Sequence, residues 1–157
     1  MENQKGTKMR LIVCAGTRLK EGWTSHDVQG DVDIKCDFWD LPKHVKPNSC
    51  ERIEFTHALE HFPMEETLAV LHQLKSLLKE GGEVYIEVPN FYWHAEQIIQ
   101  NPKNRQIVQY AFGGQLDKYD FHYNGFTPEI LAEDLREVGF TVVSLQPNSS
   151  IECIARK

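Results

Sequence analysis

His57, Glu60 and His61 fall within the six residues HALEHF, directly after the run Arg52–Ile53–Glu54–Phe55–Thr56. If the chain turns helical after Thr56, spacings of three and four residues place these side chains on one face. Two imidazoles and a carboxylate can hold a divalent metal. The same groups can exchange protons near neutral pH, or can shape the floor of a pocket. Three candidate ligands on one short segment do not by themselves make a metal site, and no metal is assigned. His122 stands in a second group, an aromatic loop with Tyr119, Phe121, Tyr123 and Phe126 close by. Loops of this kind hold substrate on a rigid scaffold, and His122 could take a proton from a hydroxyl or amine there. The rings could equally pack the loop against itself. His61 and His122 are the candidate catalytic residues.

The elements around these residues are legible from periodicity. Met9–Cys14 is a continuous apolar run, as expected of a central parallel strand. Trp23–Val28 is a weaker strand ending near Asp27. Asp31–Cys36 alternates polar and apolar residues, which predicts a half-exposed strand near a sheet edge, closed by Asp37. Arg52–Thr56 is the next strand. A helix is expected from Pro63 or Met64 to Lys79, stopped by Gly81–Gly82, with Leu68, Leu71, Leu74, Leu77 and Leu78 on its apolar face. Glu83–Val88 follows as a strand closed by Pro89. Tyr92–Phe112 reads as helical with a break near Asn101–Pro102, and 113–125 as a loop. Thr127–Pro128–Glu129 is a helix start, with Thr as N-cap and Pro in the first turn. Phe140–Leu145 and Ser150–Ala155 make a hairpin-like finish. The spans between Gly16 and Trp23, and between Asp27 and Val32, leave little room for crossover helices. The first half of the sheet is therefore abbreviated, or one of these segments is only extended chain.

The 157 residues are read as one domain, with residues 1–8 a flexible lead-in. The formal net charge of −6 argues against non-specific nucleic-acid binding, although 17 Lys and Arg leave room for a local basic patch. No apolar run approaches the length of a membrane span, and the polar N-terminal stretch does not read as a signal peptide. The cysteines Cys14, Cys36, Cys50 and Cys153 show no CxxC spacing. Cys14, Cys36 and Cys153 lie in apolar runs and are expected as buried thiols, which suits a reducing cytoplasm. P-loop, nucleophile-elbow and NPPY-type motifs are absent.

Taken in order, LIVCAGT, GWTSHD, DIKCDFWDLP, FTHALEHF, LLKEGGEVYIEVPNF and GFTPEILAEDLREVGF resemble a small class I S-adenosylmethionine-dependent methyltransferase with a short first loop. The resemblance implies an α/β, Rossmann-like seven-stranded sheet with helices on both faces, abbreviated in its N-terminal half, and an antiparallel last strand. It implies S-adenosylmethionine as cofactor, with Cys14, Ala15 and Gly16 at the first strand end. Asp27 would bind the ribose hydroxyls, Asp37 the adenine amino group, and Phe38 the base by ring or backbone. His57 would stand beside the cofactor, and Leu41–Pro42 would line the same pocket. Asn90, Phe91 and Tyr92 could face the substrate. The glycine-rich loop departs from the family, with Gly16 alone in CAGT. The expected activity is methyl transfer to a small-molecule or glycan acceptor. The alternative is a methyltransferase-like binding module that has lost activity. A nicotinamide-binding Rossmann domain ranks last, since GxGxxG is missing.

Overall fold

A computed structural model describes residues 8–157. Most of the expected lead-in therefore lies outside the described residues. Seven strands form one sheet: β1 (Met9–Val13), β2 (Thr24–Asp27), β3 (Ile34–Lys35), β4 (Cys50–Thr56), β5 (Leu78–Pro89), β6 (Thr141–Pro147) and β7 (Ser150–Arg156). Their order is β3-β2-β1-β4-β5-β7-β6. Strands β1 to β5 pair in parallel, and β7 runs antiparallel between β5 and β6. The expected antiparallel last strand is in place. Among the described residues four α-helices accompany the sheet: α1 (Thr67–Leu77), α2 (Phe91–Gln100), α3 (Arg105–Tyr110) and α4 (Pro128–Glu137).

The apolar face of the sheet follows from a period of two. Leu11 and Val13 of β1, Ile53 and Phe55 of β4, Val84, Ile86 and Val88 of β5, and Ile151, Cys153 and Ala155 of β7 are all buried in one core. Val70, Leu71, Leu74 and Leu77 of α1 and Leu131 and Leu135 of α4 complete it. Most of the alternate residues of the same strands are polar or charged. Arg52 pairs with Glu83 at 3.1 Å, and Arg156 pairs with the same carboxylate at 2.7 Å. The Tyr85 hydroxyl lies 3.2 Å and 3.3 Å from Glu87 and Glu152.

The first connections are as short as their lengths predict. No helix separates β1 from β2 or β2 from β3. The loop after β1 is instead pinned across the sheet by Lys20, which reaches Glu54 of β4 at 2.7 Å, and Lys20 also lies over the Trp23 ring. The third strand is shorter than its alternation suggests. Asp33 explains this, because its carboxylate accepts from both the amide and the hydroxyl of Ser25 at 2.8 Å. A side chain there takes the place of a ladder bond.

Two boundaries differ from expectation. The helix after HALEHF opens as a 3-10 turn (Met64–Glu66) and ends at Leu77, and Gly81–Gly82 lies inside β5. The carbonyls of Ser76 and Leu77 accept from Asn48 and Ser49 just before β4, so the chain enters the sheet at once. A Cβ on Gly82 would stand 3.0 Å from the Cys50 carbonyl, so glycine serves close strand approach there rather than helix termination. Among the thiols, Cys50 and Cys153 are buried, while Cys14 and Cys36 are only half-buried. Both of the latter lie at strand ends, where core covering stops.

Candidate functional site

The carboxyl ends of β1, β2 and β4 open into a cavity of about 350 Å³. That volume lies within the ordinary range for small-ligand sites. Of the residues expected at a cofactor, Cys14, Gly16, Asp27, Asp37, Phe38 and His57 line it. Ala15 does not. It is fully buried, with its amide donating to the His26 carbonyl at 2.8 Å, so it shapes the turn from behind.

Backbone conformation marks the same strand ends. Cys14 (φ 54) and His57 (φ 48) are non-glycine residues in the left-handed region, at the ends of β1 and β4. Such conformations persist only where surrounding contacts hold them, and they gather at ligand sites. Gly16 also has a positive φ of 57, with open space where a Cβ would project. Its amide donates to Asp27 Oδ2 at 2.8 Å, while Asp27 Oδ1 accepts from the Gln29 amide at 2.9 Å. Each carboxylate oxygen keeps a further lone pair for a ligand. Asp37 accepts from the Trp39 amide at 2.9 Å through Oδ1. Phe38 packs edge-on against Trp39 and Phe62, giving an aromatic wall beside that carboxylate.

Beneath the turn, the buried His26 ties three strand ends together. Its Nε2 meets the Cys36 carbonyl at 3.1 Å, and its Nδ1 lies 3.4 Å from the Cys14 amide. A carbonyl only accepts, so Nε2 carries the proton and Nδ1 receives one from Cys14. Burial lowers the His26 pKa, consistent with a neutral ring. Burial also raises the Cys14 thiol far above its ordinary value, with Asp27 adding to the effect, and both disfavour the thiolate. Arg18 is a lining residue that sequence reasoning passed over. Its guanidinium donates to the Cys14 carbonyl at 2.9 Å and supplies a cation at the cavity wall.

HALEHF forms no continuous α-helix. Leu59–His61 is a single 3-10 turn. It drives Glu60 into the interior, 1% exposed, and neither carboxylate oxygen has a hydrogen-bond partner among the described residues. Three imidazoles surround this carboxylate. His57 Nδ1 lies 3.5 Å from Oε1, and Nε2 of both His61 and His122 lies 4.0 Å from it. His57 also faces Glu87 at 3.3 Å. Glu60 is the main cause that raises the His57 pKa, with Glu87 adding to it and burial opposing it. The loop of residues 113–125 brings His122 to this point. The Tyr123 and Asn124 amides donate to the Glu60 carbonyl at 2.9 Å and 3.2 Å. Gly113 (φ 80) is required at its base, because a Cβ there would collide with the Asp120 carbonyl.

A second cavity of about 370 Å³ adjoins the first at His57. Pro89, Trp93, His94, Tyr110, His122, Ser149 and Ser150 complete its lining. His94 is 8% exposed and its Nδ1 has no partner among the described residues. Burial lowers its pKa, with His122 contributing, and burial likewise lowers that of His122. Nothing in the sequence singles out His94. It sits in an amphipathic helix, and only the packing of α2 with α3 turns it inward. Asn90, expected near substrate, is buried and caps α2, while Phe91 and Tyr92 are exposed.

Residues 16–145 match the model of the methyltransferase domain family. No curated protein matches the chain. Similar solved structures include a SAM dependent methyltransferase from Archaeoglobus fulgidus. It is 14% identical over 97% of this chain and 87% of that one, with a TM-score of 0.63. A 1,6-didemethyltoxoflavin-N1-methyltransferase from Burkholderia thailandensis, solved with 1,6-didemethyltoxoflavin and S-adenosylhomocysteine, is 16% identical over 97% of this chain and 72% of that one. Its TM-score is 0.59. An O-methyltransferase family protein from the same organism is 12% identical over 96% of this chain and 51% of that one, at a TM-score of 0.63. At these identities the likeness is one of fold.

Proposed function

Because the chain belongs to the methyltransferase domain family, we propose that it methylates a small planar molecule held beside its cofactor. It is an S-adenosylmethionine-dependent enzyme, and the acceptor is the part that this reading adds. The observation that carries it is the pair of cavities meeting at His57, one rich in ribose- and base-binding groups, the other aromatic.

In this reading the first cavity holds the cofactor. Asp27 takes the ribose hydroxyls, since both its oxygens are already oriented by backbone amides. Asp37 accepts from the adenine amino group, and Phe38, Trp39 and Phe62 cover the ring. The Arg18 cation pairs with the carboxylate of the methionine portion. When bound, the cofactor supplies an electrophilic methyl group. The protein's contribution is orientation of the two reactants and removal of one proton. We assign the proton to His94, which lines the aromatic cavity, rather than to His61 or His122, whose Nε2 atoms turn toward Glu60. The Trp93 and Tyr110 rings suit a flat acceptor. The acceptor is a small molecule, and the reaction takes place in the cytoplasm.

Calorimetry with S-adenosylhomocysteine tests the first half. Asp27→Ala removes charged hydrogen bonds and should cost about 1.5–3 kcal/mol, which is tenfold or more in affinity. Absence of binding to the unaltered protein overturns the reading. Turnover with labelled S-adenosylmethionine and a panel of hydroxy- and amino-aromatics tests the second half. His94→Gln should lose about 100-fold or more in turnover at unchanged cofactor affinity. Full turnover in that variant would refute the assignment.

A further inference from the structure

The Glu60 carboxylate lies where imidazoles converge, and methyl transfer as described makes no use of it. Three candidate ligands on the one short segment HALEHF do not by themselves make a metal site. Folding adds His122 from the loop 60 residues farther along, and it removes water from the carboxylate.

The His61 ring is oriented by its far nitrogen. Nδ1 lies 2.9 Å from the Phe121 carbonyl, which can only accept, so Nδ1 holds the proton. In that tautomer the ring presents an Nε2 lone pair toward Glu60. A carbonyl holding the far nitrogen in this way is the usual support of a metal-binding histidine. The His122 backbone is fixed in turn by its amide, which donates to the Phe112 carbonyl at 3.1 Å. Hydrogen bonding cannot join these groups as they stand, because 4.0 Å is beyond N–H···O range in any protonation state. An isolated buried carboxylate without donors costs several kcal/mol. His57 offsets part of its charge through Oε1 at 3.5 Å, but gives neither oxygen a hydrogen bond.

We propose that Glu60, His61 and His122 bind a divalent first-row transition metal through one carboxylate oxygen and two Nε2 atoms. The three ligand atoms lie within 4.8 Å of one another. Two atoms bound to one ion at about 2.0–2.2 Å with a tetrahedral angle between them stand about 3.3–3.6 Å apart, so closing the set needs relative movements of up to about 1.5 Å, within reach of side-chain rotation. Two imidazoles and one carboxylate suit zinc, manganese or iron rather than calcium. Three protein ligands leave at least one position open. His61 lines the cofactor cavity and His122 the aromatic one, so the ion belongs in the wall between them. The inference does not depend on methyl transfer and stands or falls without it.

Equilibrium dialysis of the full chain against Co²⁺ or Zn²⁺, with the bound metal quantified, tests the proposal. The unaltered protein should hold one equivalent, and so should His72→Ala, which removes an exposed histidine of α1. Glu60→Gln and His122→Ala should each bind at least about 100-fold more weakly. Retention of metal by Glu60→Gln, or no uptake by the unaltered protein, overturns it. A measurement free of variants guards against misfolding. On Zn²⁺ addition, the ¹⁵N signals of Nε2 in His61 and His122 should shift while that of His72 stays fixed. Unchanged Nε2 signals would refute the site.

Discussion

Histidines decide how this site responds to pH. Burial holds the pKa values of His26, His94 and His122 below the ordinary 6.5, whereas Glu60 raises that of His57. A histidine whose folded value is lowered takes up protons more readily when unfolded. Its contribution is intact above 6.5 and is lost as pH falls through the folded value. For His57 the sign reverses, with the contribution intact below 6.5 and lost as pH rises through its raised value. Three groups oppose one, so the melting midpoint should decline from pH 7 toward pH 5. A midpoint that rises over that interval would contradict the neutral assignment of His26. At this scale the sequence is informative where a side chain ends a strand. Asp27 and Asp37 are readable because the strand before each is readable. His94 and Arg18 are not, because one depends on how two helices pack and the other on the path of a loop.

Elements are set by local chemistry, and their ends by their neighbours. The Thr127 hydroxyl accepts from the Ile130 amide at 3.3 Å, and Pro128 opens α4, as the triplet Thr–Pro–Glu predicts. Thr127→Ala should cost about 1 kcal/mol, read as a lower urea midpoint at unchanged slope. The end of α1 shows the opposite case. Its leucines specify a helical face, yet the helix stops at Leu77 because the segment before β4 captures the carbonyls of its last turn. Glycine at 82 then serves strand contact, a role that no local pattern distinguishes from a helix stop. The abbreviated loop after β1 is legible from its length alone, but its anchor, Lys20 on Glu54, is a contact across 34 residues.

The whole molecule places its apolar core between one sheet face and the α1 and α4 layer, and lines the other face with ion pairs. Leu74 is fully buried between helix and sheet, and Leu74→Ala should destabilise the protein by about 2–5 kcal/mol in chemical denaturation. Glu83→Gln, on the charged face, should change stability by less than about 1 kcal/mol, since partly exposed pairs contribute little. The sequence by itself determined the order of the elements and put Asp27 and Asp37 at strand ends, beside the cavity. Each of these follows from a period, a cap or a strand end spanning a few residues, and the sheet class follows from the resemblance that those segments carry in their order. Only the tertiary structure decided which histidines meet. Glu60 and His122 are brought together by loop amides bonding to the Glu60 carbonyl, and no local pattern encodes a convergence of groups 62 residues apart.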